Sequence, residues 1–426
     1  MKFIYKAGAL VPQEELAARA AGILEDAGRL KTLSQKTAYE DSESCLYLPF
    51  DEGVLRQVRE AAAAVKTHTL QYVVVIGIGG SNLGAQAVYD AVAGSMNLLV
   101  DRLPKLLFLD TVSDEKMTAV TRTLERHPSR DDFAVVVISK SGTTAETIAN
   151  TEILWAFLAE HFGDPRSRFV AITDEGSKLW LIAGEKKITR VAIPSPVGGR
   201  FSVFSAVGLL PLLLSGIDVE DVLDGARDAV RDSTQDSLDK NTALVSAVLT
   251  DVHRRAGRMI LNSFLFSPKL ESLGKWHRQL VGESLGKDGL GLTPIVSIGS
   301  TDLHSQAQLL FGGPDDKFTH LIYSMKGDVN QVPSHPALPG LVPDIQNKSL
   351  EQIMKAIVGG VAMTFRDLKR PYVEIDLQGV GPYQLGYYLQ WRMIEVMYLA
   401  RLMGVNAFDQ PHVELYKTHT RALLRG

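Results

Sequence analysis

The sequence predicts an α/β protein with two domains, each built on a mostly parallel sheet that helices cover on both faces. The chain has 426 residues, more than one small core normally holds. Short runs of continuously apolar residues alternate with segments of helical periodicity, and such runs are typical of parallel strands buried on both faces. No low-complexity stretch separates the two halves, so we expect the domains to pack closely.

The first half shows the alternation more clearly. A helical pattern over 11–30 has Pro12 near its start and two glutamates in its first turn. Four strands are then predicted, and helices follow the first three of them. The predicted strands are 72–76, 105–110, 133–138 and 169–173, and the predicted helices are 82–93, 114–124 and 144–161.

The second half has longer helical segments. The predicted helices are 203–214, 219–232, 241–256, 271–280, 350–365 and 383–402, and the predicted strands are 259–266, 319–323 and 372–376. The most apolar stretch, 201–217, is short for a membrane span and includes Pro211, so we interpret it as a buried helix. We expect an N-terminal domain over 1–200, with a helical extension, and a C-terminal domain over 201–426 that ends in a helix.

Composition excludes several classes of partner. The net charge is −4 and the basic residues are scattered, so we expect no nucleic-acid partner. The single cysteine, Cys45, allows neither an internal disulfide nor a cysteine-based metal site, and the ten histidines include no HExxH motif. The N terminus lacks the apolar core of a signal peptide. We therefore expect a cytoplasmic protein without a metal and without a membrane partner.

A glycine-rich loop, GIGGSNLG, follows the first strand of the predicted sheet. It does not fit the dinucleotide motif GxGxxG, because position 82 is asparagine. It does not fit the nucleotide P-loop either, because Gly84 is followed by Ala85 and not by lysine. These spacings argue against a nucleotide-dependent kinase or a dehydrogenase. The alternative is that the glycines only permit a tight turn between strand and helix.

A hydroxyl-rich loop, SKSGTTAET, follows the third strand. Thr143 and Glu146 have the spacing of a capping box, which predicts that a helix begins here. The free N–H groups and partial positive charge of a helix N-terminus suit a phosphate. The hydroxyls that could donate to its oxygens are those of Ser139, Ser141 and Thr144. A hydroxyl-rich cap beside an exposed lysine is the alternative, but capping explains one or two threonines and not the cluster. A phosphate without a nucleotide motif predicts a small phosphorylated metabolite.

Later segments offer groups that could perform chemistry. Arg200 follows two glycines, which would place a fixed cation where backbone comes close; the alternative is a surface arginine before a helix. Glu283 ends an apolar helical stretch with Gln279 four residues earlier on the same face, although a solvated carboxylate is the simpler interpretation. His304 lies on a predicted helix after Asp302, and a lone histidine is usually structural.

The last candidate segment, 406–424, has the pattern of a C-terminal helix with proline near its start. Gln410 precedes that proline. Glu414 and Lys417 lie three residues apart within the helix.

Taken together, these segments resemble the glucose-6-phosphate isomerase (phosphoglucose isomerase) family in its compact bacterial form. The matching motifs occur in the family's order: GIGGSNLG, SKSGTTAET, GGRFSVFSAVG, GESLGKDG with the upstream Gln279, TDLHS and FDQPHVELYK. Each motif alone is weak, whereas GGRFS followed far downstream by FDQ and VELYK is specific. The resemblance implies two sugar-isomerase (SIS) domains, each an α/β/α sandwich. It also implies interconversion of glucose 6-phosphate and fructose 6-phosphate without a metal or an organic cofactor.

The resemblance further implies a role for each site residue. Glu283 is the base that moves a proton between C1 and C2, and Arg200 stabilises the enediolate. His304 and Lys417 assist the opening of the sugar ring. The residues implied to bind the substrate are Gly80, Ser81, Ser139, Lys140, Ser141 and Thr144 at the phosphate, and Gln279 and Gln410 along the site. The family is typically a homodimer, in which the equivalent of His304 comes from the other subunit.

These residue types suit an aldose–ketose isomerisation. One carboxylate on one face of a cis-enediol can remove the proton beside the carbonyl and return it to the neighbouring carbon. A fixed cation stabilises the charge that develops on the enediolate oxygens. Phosphate binding, remote from the reacting carbons, supplies orientation.

Two residues depart from the family pattern, and two alternatives stay open. His412 stands where the family usually has glycine, which can alter the path of the chain toward Lys417, and Leu285 stands where many compact members have an acidic residue. One alternative is an isomerase of another phosphosugar, including a dual-specificity enzyme that also accepts mannose 6-phosphate. The other is a non-catalytic sugar-phosphate sensor, against which the complete set of catalytic residues argues.

Overall fold

In the computed structural model, which describes residues 1–102, 104–325 and 330–425, the strands form two five-stranded sheets. The strands are β1 (Lys2–Ile4), β2 (Tyr72–Ile76), β3 (Lys105–Leu109), β4 (Phe133–Ile138), β5 (Phe169–Asp174), β6 (Thr189–Ile193), β7 (Ile260–Leu265), β8 (Thr293–Ile298), β9 (Lys317–Tyr323) and β10 (Tyr372–Asp376). The first sheet has the order β3-β2-β4-β5-β6 and is parallel throughout. The second has the order β1-β10-β9-β7-β8 and is parallel except for β1. The predicted fold class, α/β with mostly parallel sheets, is confirmed.

Helices connect the strands and cover both sheets. They are α1 (Gln13–Ala21), α2 (Leu24–Ser34), α3 (Glu52–Val65), α4 (Leu83–Ala93), α5 (Asp114–Glu125), α6 (Ala145–Phe162), α7 (Lys178–Glu185), α8 (Ala206–Leu214), α9 (Val219–Ser233), α10 (Thr242–Arg255), α11 (Glu271–Leu285), α12 (Ala307–Gly312), α13 (Leu350–Asp367), α14 (Pro382–Met403) and α15 (Glu414–Leu423). Of the helices in the described ranges, none is long and apolar enough to cross a membrane.

The continuous apolar runs of the central strands are explained by burial on both faces. Along β4, every second side chain from Ala134 packs into the main apolar core, and the others pack into a separate cluster with α5 and α6. In the second sheet, Leu261 and Leu265 of β7 face the main core. Phe264 faces a third cluster that includes Val358 and Phe365 of α13.

The predicted strands occur, whereas the helix predicted near the N terminus needs a correction. The helix predicted over 11–30 is two helices, because the chain leaves the helical conformation at Ile23, whose φ is −128° and ψ is 7°. Gly22, where α1 ends, is a poor helix former and makes this the least costly place for a break. The elements that the sequence did not predict include β1, β6, β8 and α3.

The first residues of the chain complete the sheet of the second half. β1 pairs antiparallel with β10, with Phe3 opposite Ile375. A division of the chain into domains at 200/201 stays a prediction.

The two halves are joined where helix α4 packs on helix α11. Ser272 of α11 donates a hydrogen bond to Asp90 of α4 at 2.5 Å. Burial raises the pKa of the Asp90 carboxyl above its usual value, and the Ser272 bond opposes that shift. The helix that follows the glycine-rich loop is therefore held against the helix that ends near Glu283.

A buried histidine secures the chain segment that follows β1. His253 of α10 is 3% exposed and its Nε2 donates to the carbonyl oxygen of Ala9 at 2.8 Å. Burial lowers the pKa of His253 from 6.5 to about 4, and the nearby Arg258 guanidinium lowers the pKa further. The unfolded chain therefore binds a proton more readily than the folded protein. The stability that the neutral ring contributes is complete above about pH 6.5 and is lost as the pH falls toward 4.

We predict that His253→Gln makes the free energy of unfolding less sensitive to acid. Glutamine keeps a donor for the Ala9 carbonyl but has no proton to gain. The loss of stability between pH 7 and pH 5 should shrink by about 1–2 kcal/mol in urea unfolding experiments. The matched control is His68→Gln, at an exposed position, which should retain the wild-type pH dependence. An unchanged pH dependence in His253→Gln contradicts the assignment.

Candidate active site

Two loops meet at the carboxyl ends of the strands in the first sheet. β2 and β4 are neighbouring parallel strands, so the loop 77–82 and the loop 139–144 leave the sheet at the same edge. Gly79 has a φ of +59°, a conformation that glycine adopts without strain. A Cβ on Gly79 would lie 2.8 Å from Nε2 of Gln279, so this loop also touches α11.

The glycine-rich loop lies in backbone contact with the turn that holds Arg200. A Cβ on Gly80 would lie 2.2 Å from the carbonyl carbon of Gly199 and 2.6 Å from the amide nitrogen of Arg200. A Cβ on Gly84 would lie 2.7 Å from Cγ2 of Val203. These glycines therefore do more than permit a tight turn, since they let two loops from different parts of the chain touch.

The hydroxyl-rich loop forms a compact cluster before α6. The Ser139 side chain is buried, and its Oγ lies 3.0 Å from Oγ1 of Thr144. Ser141 is exposed, and its Oγ accepts from the Thr143 amide at 3.3 Å.

The capping box predicted from Thr143 and Glu146 is wrong. The helix begins at Ala145 with Thr144 as its N-cap, and within the described residues the Thr144 side chain forms no capping hydrogen bond. The Thr144 hydroxyl is bonded to Ser139 instead. The first N–H groups of α6 therefore have no side-chain acceptor, which suits an anion.

Lys140 connects the hydroxyl-rich loop to the segment before Arg200. Its ammonium donates to the carbonyl oxygens of Ser195 at 2.6 Å and Val197 at 2.8 Å. Burial lowers the pKa of Lys140, and the charge of Asp174 opposes the shift. Two of the three ammonium protons are thus used by backbone, and one is left for a ligand.

Arg200 lies at the centre of the site. Its guanidinium is buried, with 3% of the residue exposed, and burial lowers its pKa while the charge of Glu283 opposes that shift. Its hydrogen bonds run to Ser284 Oγ (2.8 Å), Glu283 Oε2 (3.4 Å), Gln410 Oε1 (2.9 Å) and the carbonyl oxygens of Ala407 (2.5 Å) and Asp409 (3.1 Å). An arginine stays protonated in such a setting, so the site contains a fixed positive charge.

The Glu283 carboxylate is held by two donors and remains partly open. Gln279 Nε2 donates to one oxygen at 3.1 Å, and Arg200 donates to the other at 3.4 Å. The side chain is 35% exposed. Gln279 and Glu283 share one face of α11, as their spacing predicts. Gln279 Oε1 is buried and has no hydrogen-bond partner among the described residues. The carboxylate is therefore oriented but accessible to a ligand.

The segment 406–410 closes one side of the site. Gln410 of this segment accepts a hydrogen bond from Arg200, and two further residues that the sequence analysis did not single out take part in these contacts. Lys287 lies 2.6 Å from Asp409 Oδ1, and Ser284 fixes Arg200 from α11. The sequence around Ser284 and Lys287 gives no sign of these contacts. Each contact depends on which segment, distant in the sequence, packs against α11 in the folded protein.

His304 and Lys417 form no hydrogen bond or ion pair with Arg200 or Gln279 in the part of the chain that the structure describes. His304 is exposed and follows a 3-10 turn, Thr301–Leu303, so the predicted helix at this residue is wrong, and α12 begins only at Ala307. Lys417 of α15 forms an ion pair with Glu414 at 2.7 Å. Within the described residues, neither side chain forms a hydrogen bond or an ion pair with Glu283.

The two residues that depart from the family pattern lie outside the centre of the site. His412 is exposed in the 3-10 turn Pro411–Val413. Leu285 is fully buried in the main apolar core. The loop at His412 still brings Gln410 to Arg200.

Comparisons with known proteins identify related sequences and folds. A family model described as phosphoglucose isomerase matches residues 54–335. A glucose-6-phosphate isomerase from Rubrobacter xylanophilus is 33% identical over 397 residues, which are 91% of this chain and 90% of that protein. A glucose-6-phosphate isomerase from Thermus thermophilus is 32% identical over 428 residues, which are 97% of each chain.

Solved structures with the same fold cover nearly the whole chain. A hypothetical protein from Thermus thermophilus has 32% identity and a TM-score of 0.87 over 100% of both chains. A glucose-6-phosphate isomerase from Chlamydia trachomatis has 20% identity and a TM-score of 0.78, covering 97% of this chain and 86% of that one, and this similarity concerns the fold.

We predict that Gly80→Ala destabilises the protein, because its Cβ would force the glycine-rich loop away from the Arg200 turn. Urea unfolding should show a loss of about 2–3 kcal/mol in the free energy of unfolding. Gly198→Ala is the matched control: the nearest atom to its Cβ, in Phe201, lies at 3.8 Å, and stability should change by less than about 1 kcal/mol. Equal stability of the two variants contradicts the contact.

Proposed function

The chain belongs to the phosphoglucose isomerase family, and we propose that it interconverts glucose 6-phosphate and fructose 6-phosphate with Glu283 as the catalytic base. The enzyme is an aldose–ketose isomerase of glycolysis, like the relatives that bear this name. The observation that carries the proposal is the arrangement of Glu283. Its carboxylate is oriented by Gln279 and Arg200 and remains open to a substrate.

The proposed chemistry is a proton transfer through a cis-enediolate. Glu283 takes the proton from C2 of the open-chain aldose and returns it to C1, on the same face of the sugar. The reverse transfer converts the ketose. A positioned carboxylate of this kind typically contributes about 10²–10⁴-fold to the rate. The 35% exposed side chain leaves the carboxylate accessible, while its two hydrogen bonds limit its motion.

Arg200 is proposed to stabilise the negative charge that develops on the enediolate oxygens. A cation contributes most when it is fixed before the reaction, since it then needs no reorganisation in the transition state. Arg200 meets this condition, because Ser284 and two backbone carbonyls hold its guanidinium beside Glu283. Its Nη1, which donates to Glu283 Oε2 at 3.4 Å, therefore keeps positive charge beside the proposed base.

The phosphate is proposed to bind at the edge of the first sheet. The uncapped N-terminus of α6 supplies N–H groups and a partial positive charge. The residues proposed around the phosphate are Gly80, Ser81, Ser139, Lys140, Ser141 and Thr144. Because the phosphate is remote from the reacting carbons, its binding does not take part in the proton transfer but orients the sugar toward Glu283.

Ring opening is proposed to need a second copy of the chain. His304 is exposed and has no partner near Glu283 within the described residues, so it is available to the site of a neighbouring subunit. We propose a homodimer in which His304 of one copy and Lys417 of the other move the protons on the ring oxygen and the C1 hydroxyl. We also propose a cytoplasmic location, which suits a glycolytic enzyme whose one cysteine, Cys45, is free and buried.

We predict that Glu283→Gln abolishes turnover and retains substrate binding. Glutamine keeps the size of the side chain but cannot accept the proton, so kcat should fall by about 10³-fold or more. The phosphate contacts are untouched, so fructose 6-phosphate should still bind in calorimetry.

The assay is the conversion of fructose 6-phosphate to glucose 6-phosphate with a chelator present. Glu271→Gln, at an exposed glutamate of the same helix, is the matched control with wild-type activity. Near-normal turnover in Glu283→Gln shows that the base assignment is wrong.

We predict that two inactive variants, Glu283→Gln and His304→Ala, restore activity when they share a dimer. In a mixed dimer, one site combines both defects and the other combines an intact Glu283 with an intact His304. Random mixing makes half of the dimers mixed, so co-expression should give about one quarter of the wild-type activity. A mixture that stays inactive, or a wild type that is fully active as a monomer in light scattering, contradicts the shared site.

A further inference from the structure

Lys287 is a buried cation at the end of the helix that holds Glu283. It is 6% exposed. Its amide donates to the Leu290 carbonyl at 3.1 Å, and its carbonyl accepts from the Leu290 amide at 2.7 Å. Asp288 and Gly289 complete this tight turn with φ angles of +51° and +73°. The side chain therefore starts from a fixed backbone position.

The Lys287 ammonium binds the segment 406–410, which connects α14 to α15. It donates to the carbonyl oxygen of Asn406 and lies 2.6 Å from Asp409 Oδ1. A buried ammonium is costly unless its donors are paired, so these contacts are strongly favoured once Lys287 is in place. The segment is also bonded within itself, since the Asn406 side chain accepts from the Phe408 amide at 3.0 Å and donates to Asp409 at 3.2 Å.

Arg200 binds the same segment. Its guanidinium donates to the carbonyl oxygens of Ala407 and Asp409 and to the side chain of Gln410. Two buried cations therefore bind four of the five residues of this segment. Because the same Arg200 donates to Glu283, a shift of this segment changes the surroundings of the proposed base.

Beyond this segment, little else fixes α15. From Pro411 to Leu424 no residue is buried, and the Lys417 ammonium is paired with Glu414 of the same helix. The position of Lys417 relative to Glu283 therefore depends on the anchors of the segment 406–410.

We propose that Lys287 is a positioning residue of the isomerase, which fixes the segment 406–410 so that Gln410 and the helix of Lys417 keep their alignment with Glu283. The inference rests on the proposed function, because Lys417 matters only if the chain isomerises a ring-closed sugar phosphate. Lys287 touches no substrate in this account. Loss of the Lys287 charge should therefore lower kcat. It should leave KM nearly unchanged, because the proposed phosphate contacts that govern binding stay in place.

The test compares Lys287→Met with Lys287→Arg, using steady-state kinetics on fructose 6-phosphate. Methionine keeps the length of the side chain and removes the charge, so kcat should fall by about 10–100-fold while KM changes by less than about threefold. Arginine keeps the charge and should restore kcat to within about fivefold of the wild type.

A second buried lysine provides the matched control. Lys317 is 9% exposed and also donates to a backbone carbonyl and an aspartate, but it lies at the beginning of β9. Lys317→Met should keep the wild-type kcat. Hydrogen exchange should become faster over 411–425 in Lys287→Met and stay unchanged there in Lys317→Met.

The outcomes separate the inference from the function on which it rests. A wild type without isomerase activity overturns the proposed function and, with it, the inference. An active wild type with a Lys287→Met kcat within about twofold of it overturns the inference alone, as does an equal loss in Lys317→Met. If Lys287→Met does not fold, Asp409→Asn decides the question: we expect a kcat about 3–10-fold lower at an unchanged KM, and an unchanged kcat overturns the inference.

Discussion

The site depends on one buried guanidinium. Arg200 bonds to Ser284, 84 residues later in the chain, and to Gln410, 210 residues later. All three of its nitrogen atoms donate to acceptors on these two segments. Since a buried charge without partners is strongly unfavourable, the fold must bring α11 and the segment 406–410 together around it. The same requirement sets the position of the proposed base, which lies beside Ser284.

The central strands and the edge strand β3 could be predicted from the sequence, whereas the other three edge strands could not. β3 could be recognised because residues 106–109 are themselves a continuous apolar run. A strand with neighbours on both sides, such as β4, is buried on both faces and therefore appears as a continuous apolar run. The strands that were missed, β1, β6 and β8, all lie at sheet edges, and most of their side chains are partly buried or exposed. Partial burial does not require a continuous apolar run. The pairing of β1 with β10 is also a contact across most of the chain, which local periodicity does not encode.

The sequence could indicate which residues are candidates for the site, but it could not indicate most of the hydrogen bonds and ion pairs that they form. The spacing of Gln279 and Glu283 predicts one helix face, and the structure shows their hydrogen bond. By contrast, nothing local indicates that Lys287 is buried against Asp409 or that the Lys140 ammonium is bonded to backbone carbonyls. Both depend on tertiary packing. The absent capping box has a local origin, because Ser139 of the same loop is bonded to the Thr144 hydroxyl that would cap α6.

The proposed phosphate site and the proposed base lie in different halves of the chain, and this arrangement explains why the two halves are joined so closely. The proposed phosphate site belongs to loops of the first sheet, while the proposed base belongs to α11 in the second half. A misplacement of about 1 Å can reduce a rate by about 100-fold, so this distance has to be fixed by packing and not by the ligand. Two features fix it: the backbone contact between Gly80 and Gly199, and the bond from Ser272 to Asp90 between α11 and α4. The proposed base can then remain partly exposed, because its helix is tied by these contacts to the loops that are proposed to bind the phosphate.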